Sequence, residues 1–232
     1  MPPAPLSEPR PLPAEERERA DLYGLLARLW RAAPDAALLD ALARRATAVE
    51  PVGTHAAGGA CAGAGTGRGE PADSDAADGA ELAAAWAELC AGAAHAQPQA
   101  VAAEYGALFG GVGRPEVFLH GSWHLAGFLH ERPLAALRAQ LAALGLGRRA
   151  EQSDTEDHVA LVFEAMRYLV LADDDSLASL AVQERFFTAH VGSWVGSMSD
   201  AVLASPNARF YRLVARLTRA FVDVERLAFE IE

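Results

Sequence analysis

Apolar residues recur along most of this chain at the three- and four-residue spacing that turns one side of an α-helix toward a core. After Pro13 the stripe is Leu22, Leu25, Leu26 and Leu29, with Trp30 near its end, and Pro34 stops it. Asp35 is placed to cap a second helix carrying Leu38, Leu39, Leu42 and Val49. The pattern resumes at Glu81 with Leu82, Trp86 and Leu89, and again after Pro98. Two shorter helices are predicted over 122–129 and 133–144, the second with Pro133 in its first turn and Gly145 as its stop. Acids at 173–175 with Ser176 cap a further run, read as one bent helix or two. Ser205 and Pro206 are expected to cap a last helix with Phe210, Leu213, Leu217, Phe221 and Val224 on one face. No run alternates with period two, and the chain has a single isoleucine, so strands are not expected. The predicted fold class is all-α, a single globular bundle of about nine to ten helices.

Two stretches lack the stripe. Residues 1–13 are proline-rich and read as a disordered tail. From 53 to 80 there is no Leu, Ile, Val, Met or aromatic residue, so burial cannot offset the entropy of ordering. That stretch reads as a flexible Gly/Ala-rich insertion within one domain spanning 14–232.

Charge narrows the function classes. The formal net charge of -11 excludes a basic nucleic-acid or membrane-surface binder, since both need clustered Lys and Arg against phosphate. No segment is apolar enough for an anchor or secretory signal, because the longest such run, 159–172, is interrupted by Glu164 and Arg167. The two cysteines, Cys61 and Cys90, have no metal or redox spacing and suit a reducing cytoplasm.

Candidate chemistry concentrates where the helix of 159–171 begins. Glu151, Asp154, Glu156 and Asp157 precede His158, and the helix then carries Val159, Val162, Met166, Leu169 and Val170 on one side. Ser153 and Glu156 have capping-box spacing and Thr155 is a second cap candidate, so the helix is expected to start near them. Acids are also favoured here by the helix dipole. His158 shares a face with residues 162, 165 and 169 and heads the buried stripe. Phe109, Trp194 and Phe210 read as core aromatics, and His190 as a packed histidine with a buried partner.

Three collinear stretches resemble the TorD/DmsD-type family of redox-enzyme maturation chaperones. The run from Tyr105 through Leu108 and Phe109 to Gly113 is similar to the family's Y-x-x-L-F-x-G-x-G turn. Asp154-Thr-Glu-Asp157-His158 resembles its E-P-x-D-H signature, with Asp-Thr in place of Glu-Pro. Gln183, Phe186, Phe187, His190 and Trp194, followed by Phe210-Tyr211, resemble its C-terminal pattern, and Ser122 alone matches well around 121–123. The resemblance implies a non-enzymatic cytoplasmic chaperone, without a cofactor of its own, for the catalytic subunit of a molybdopterin-containing oxidoreductase. It would bind that client's twin-arginine leader and apo form, and it leaves monomers and exchanged dimers both open. Asp154, Glu156, Asp157 and His158 would meet the arginine pair, whose fork geometry suits carboxylates. Trp123, Phe118, Tyr105 and Phe109 would line the apolar groove beside them, with Ser122 a further client-binding candidate. The rival reading is a helical scaffold or metal-binding protein using His120 and His124, whose i, i+4 spacing lets two imidazoles share an ion.

Overall fold

The computed structural model describes residues 11–48, 72–110, 114–147 and 154–231. Eleven α-helices and one π-helical turn are found among them, and no strands. They are α1 (Ala14–Arg31), α2 (Ala36–Ala48), α3 (Ala72–His95), α4 (Pro98–Phe109), α5 (Gly121–Ala126), α6 (Arg132–Ala143), α7 (Val159–Leu171), α8 (Asp175–Ala178), α9 (Leu180–Phe187), α10 (Val195–Ala204) and α11 (Phe210–Ile231). The π turn, Thr188–Gly192, lies between α9 and α10. None of the described helices is long and apolar enough to cross a membrane.

The all-α expectation holds, and the boundaries show where local signals gave way to tertiary ones. Helix α3 begins at Ala72, so the last nine residues of the expected insertion, 72–80, are helical; their alanines suit a helix even without large apolar side chains. The rest of that insertion, residues 53–71, lies outside the described residues, as do residues 1–10 of the expected tail. Asp35 caps α2 as anticipated, its carboxylate accepting from the Leu38 N–H at 2.8 Å. The expected Ser205 cap is different. Its hydroxyl accepts from the Asn207 N–H at 3.1 Å and donates to Glu116, while α11 starts later, at Phe210. The carboxylate of Glu104, on α4, accepts from the backbone N–H groups of Arg209, Phe210 and Tyr211. An acid distant in sequence thus satisfies the donors that a local cap would have served.

Helices α1 and α7 pack along one another, and α11 packs against α3 and α10. Tyr23 links the two groups: its ring meets Phe163 of α7 at 5.7 Å and Phe221 of α11 at 4.7 Å. Phe109 is half-buried and joins Trp30, Tyr105 and Tyr211 in an aromatic cluster, whereas Trp194 and Phe210 are fully in the core. One buried polar network pins α1, α9 and α11. Arg19 donates to both oxygens of Glu225 at 2.6 and 2.7 Å and to Gln183 Oε1 at 2.6 Å, and the Tyr23 hydroxyl donates to Glu225 Oε2 at 2.6 Å. Burial works against the Arg19 charge, but Glu225 outweighs it and raises the guanidinium pKa.

Removing one member of such a network leaves an uncompensated buried charge, which costs more than the intact pair contributes. Glu225→Ala is expected to destabilise the fold by about 3–5 kcal/mol. Urea unfolding followed by circular dichroism measures this, and a loss under about 1 kcal/mol would show that water replaces the carboxylate.

Candidate functional site

The start of α7 is tied to the start of α5. Residues 119–121 and 157–159 cross antiparallel: the Gly121 N–H donates to the Asp157 carbonyl at 2.9 Å and the Val159 N–H to the Leu119 carbonyl at 2.8 Å. His120 and His158 face each other across this bridge, their rings 5.1 Å apart and edge to face. Gly121 allows a close approach, since a Cβ there would meet the Trp194 indole at 3.0 Å and press it aside.

Asp157 is 3% exposed, and both its oxygens are engaged. Oδ2 accepts from the Ser122 N–H at 2.9 Å, which caps α5, and Oδ1 accepts from the Thr155 hydroxyl at 2.6 Å. Burial alone would raise its pKa, but the bonds from Ser122 and Thr155 outweigh it and leave the carboxyl below its ordinary range. Ser122 is fully buried, and its hydroxyl accepts from the His130 N–H at 3.3 Å. His158, also buried, caps α7: its Nδ1 accepts from the Ala160 N–H at 3.2 Å. An acceptor nitrogen must be unprotonated. Burial, then the neighbouring His120, pushes the His158 pKa down to about 4.

The helix therefore starts at Val159, later than Thr155 suggested, because Asp157 is turned toward α5 and His158 takes the cap. The other half of the expected capping box, Ser153, lies outside the described residues, as do Glu151 and Gly111 to Gly113. Residues 162, 165 and 169 are buried beneath His158, as the stripe predicted.

The remaining expected site residues lie around this knot. Asp154 is half-buried, and its charge acts on Tyr105, His120 and His158. Tyr105 donates to the Arg31 carbonyl at 2.9 Å, closing the end of α1, and burial lifts its pKa to about 12. Trp123 and Phe118 are stacked, with ring centroids 4.0 Å apart, and the Arg114 guanidinium covers both rings, 4.7 Å from Trp123. Glu156 faces Arg138 of α6, which reaches its Oε2 with Nε at 2.9 Å and Nη2 at 2.8 Å. His124 places Nε2 2.8 Å from the Phe118 carbonyl and stacks on Trp194, so it does not join His120 in a site. Among the described residues no three His, Cys, Asp or Glu side chains converge to hold a metal ion. His190 has the expected partner: its Nε2 lies 2.7 Å from Gln140 Oε1.

What sequence reasoning missed is a groove. A cavity of about 550 Å³ runs between α6, the residues after it and the outer face of α7, lined by Leu141, Leu146, Leu161, Ala165, Tyr168 and Leu171. Glu156, Glu164, Arg31 and Arg167 complete its walls. Helix α7 carries large apolar residues on its outer face as well, beside Glu164 and Arg167, and such residues are normally covered. Tyr168 and Leu171 are nonetheless exposed. That mismatch was the available signal. Leu125, Phe128 and Leu129 form a second exposed apolar corner after α5.

The bundle, the knot and the open groove define an all-helical protein with an apolar trough on one side of α7. The family model of the nitrate reductase delta subunit matches residues 75–200, from within α3 to within α10. This is more than half of the chain, and the chain belongs to that family. Membership implies a chaperone of molybdoenzyme maturation, a non-catalytic role. No curated protein matches the chain.

The pH sign follows from His158. Its folded pKa is below the ordinary 6.5, so its contribution is complete above pH 6.5 and falls as pH drops toward 4. His120, His124 and His190, all lowered chiefly by burial, act in the same direction. Unfolding free energy is expected to fall through this window, with His158 contributing up to about 1.4 kcal/mol per pH unit. His158→Asn keeps a capping acceptor without the titration, so urea midpoints measured across the window should show a shallower slope. Equal slopes would remove His158 as the cause.

Proposed function

We propose that this protein is a cytoplasmic chaperone that binds the twin-arginine leader and the apo form of a molybdopterin-containing oxidoreductase, assisting cofactor insertion and delaying export. The observation that carries this reading is the groove on α7, an apolar trough whose walls include the carboxylates of Glu156 and Glu164. A twin-arginine leader joins a guanidinium pair to an apolar segment. The trough suits a helix laid in by its apolar face, and a carboxylate suits the guanidinium. A volume of about 550 Å³ holds one face of such a segment and leaves the other face in water.

In this reading the expected site residues divide by role. Glu156 supplies negative charge in the wall of the groove, and Asp154 adds charge beside Tyr105, His120 and His158. Asp157, His158 and Ser122 hold the starts of α5 and α7, and so set where the groove lies. Tyr105 fixes the end of α1 beside Arg31. Trp123 and Phe118 form a stacked aromatic pair that Arg114 covers.

Titration of the purified protein with a synthetic peptide carrying Arg-Arg ahead of a leucine-rich segment tests the reading, with a Lys-Lys peptide as comparison. Binding should favour the arginine form. Leu171→Asp, at an exposed position in the groove, should weaken binding at least about tenfold with little change in Tm, because it places a charge against buried apolar surface. Equal binding by the variant would move the site elsewhere.

A further inference from the structure

The pairing at Glu156 has an unusual division of exposure. The Glu156 side chain is 14% exposed and lines the groove, whereas Arg138, which neutralises it, is 51% exposed and lies outside the groove lining. A carboxylate with so little access to water needs a cation, since burying it unpaired is costly. A half-exposed arginine can return to solvent at little cost, because exposed ion pairs contribute little net stability. The contact is also not the two-oxygen fork that makes arginine–carboxylate pairs strong: Nε and Nη2 both reach Oε2. Glu156 thus calls for a cation, and Arg138, which reaches it from α6, is easily displaced.

We infer that Arg138 is an internal stand-in for a ligand arginine: it holds Glu156 neutralised while the groove is empty and yields it to a guanidinium carried by the segment that fills the groove. The inference rests on the reading of this groove as the leader site and adds how that site is regulated. Exchange of one guanidinium for another conserves charge at Glu156, so the electrostatic gain on binding is small. Selection for arginine persists, because an ammonium cannot reproduce a planar guanidinium contact. Glu164 and Arg167 repeat the arrangement more loosely on the same wall, at 3.6 Å with both side chains about 40% exposed.

The test is calorimetric titration with the Arg-Arg and Lys-Lys leader peptides on the full chain and its R138Q and E156Q variants, with Tm recorded for each. Removing the competitor should tighten Arg-Arg binding up to about fivefold in R138Q. Removing the shared acceptor should weaken it about ten- to a hundredfold in E156Q and abolish the preference over Lys-Lys. In the double variant R138Q/E156Q the gain from R138Q should disappear. A purely structural ion pair predicts the opposite for R138Q, weaker binding together with a lower Tm, and that result overturns the inference. So does wild-type binding with all variants unchanged. If E156Q fails to fold, the R138Q direction still decides. Absence of wild-type binding to either peptide would instead reject the leader reading itself.

Discussion

The antiparallel crossing of residues 119–121 and 157–159 is the constraint on which the site depends. Two backbone hydrogen bonds join the segments, and the side chains at the crossing then start one helix each. Asp157 reaches across to cap α5, and His158 caps α7 in its own segment. A single point therefore fixes the origin of both helices. The groove on the outer face of α7 has its position relative to α6 because α6 follows α5 through a short connection. Negative charge at 157 is confined to this structural work by its burial, while Glu156, one residue earlier, comes out on the groove side. Adjacent acids in the same cluster thus serve different ends, one holding the scaffold and the other lining the groove.

A second set of polar contacts holds the bundle against which that crossing is braced. Glu225 receives Arg19 and Tyr23 together, and Glu104 receives three amide groups at the start of α11. Both are acids placed where helix ends or buried cations demand them, and together they tie α1, α4 and α11 across long sequence separations. Burying charge in this way is a weak source of net stability, but it penalises any alternative packing that leaves one partner alone. The apolar core supplies the driving force, and the polar contacts select one arrangement of it.

The helical stripe was largely legible in the sequence, because burial of one side leaves a periodic trace that needs no partner to be known, although Leu22, Leu25 and Leu38 are only partly buried. Leu26, Leu29, Val162, Met166 and Leu169 are all buried as their spacing indicated. Local caps were legible when they acted locally, as at Asp35 and Asp174. They misled where a distant side chain took the same donors: Glu104 displaced Ser205, and the pull of α5 on Asp157 moved the start of α7 to Val159. The cluster at 154–158, singled out in the sequence as candidate chemistry, lies at the start of α7, yet the partition of its members depended on which way each side chain turned. The turn is set by residues 118–122, some thirty-five positions away. The groove was hidden for a related reason. Leu161, Tyr168 and Leu171 look like core residues, and only the packing shows that the side they share with Glu164 and Arg167 lines a groove.

The physical character of that groove argues for reversible binding. Its apolar walls reward any segment with a continuous apolar face at roughly 25 cal/mol per Å² of surface buried. Against this stand the lost freedom of two molecules and the ordering of a flexible peptide, which together consume much of the gross gain. A rim of unpaired acids would add steep electrostatic affinity, but here Glu156 and Glu164 each meet an arginine of the same chain. Charge on this rim therefore discriminates between ligands more than it tightens them. On the proposed reading, an open trough with a self-neutralised rim would select its ligand and then release it, which a deep pocket with naked charges could not do as readily.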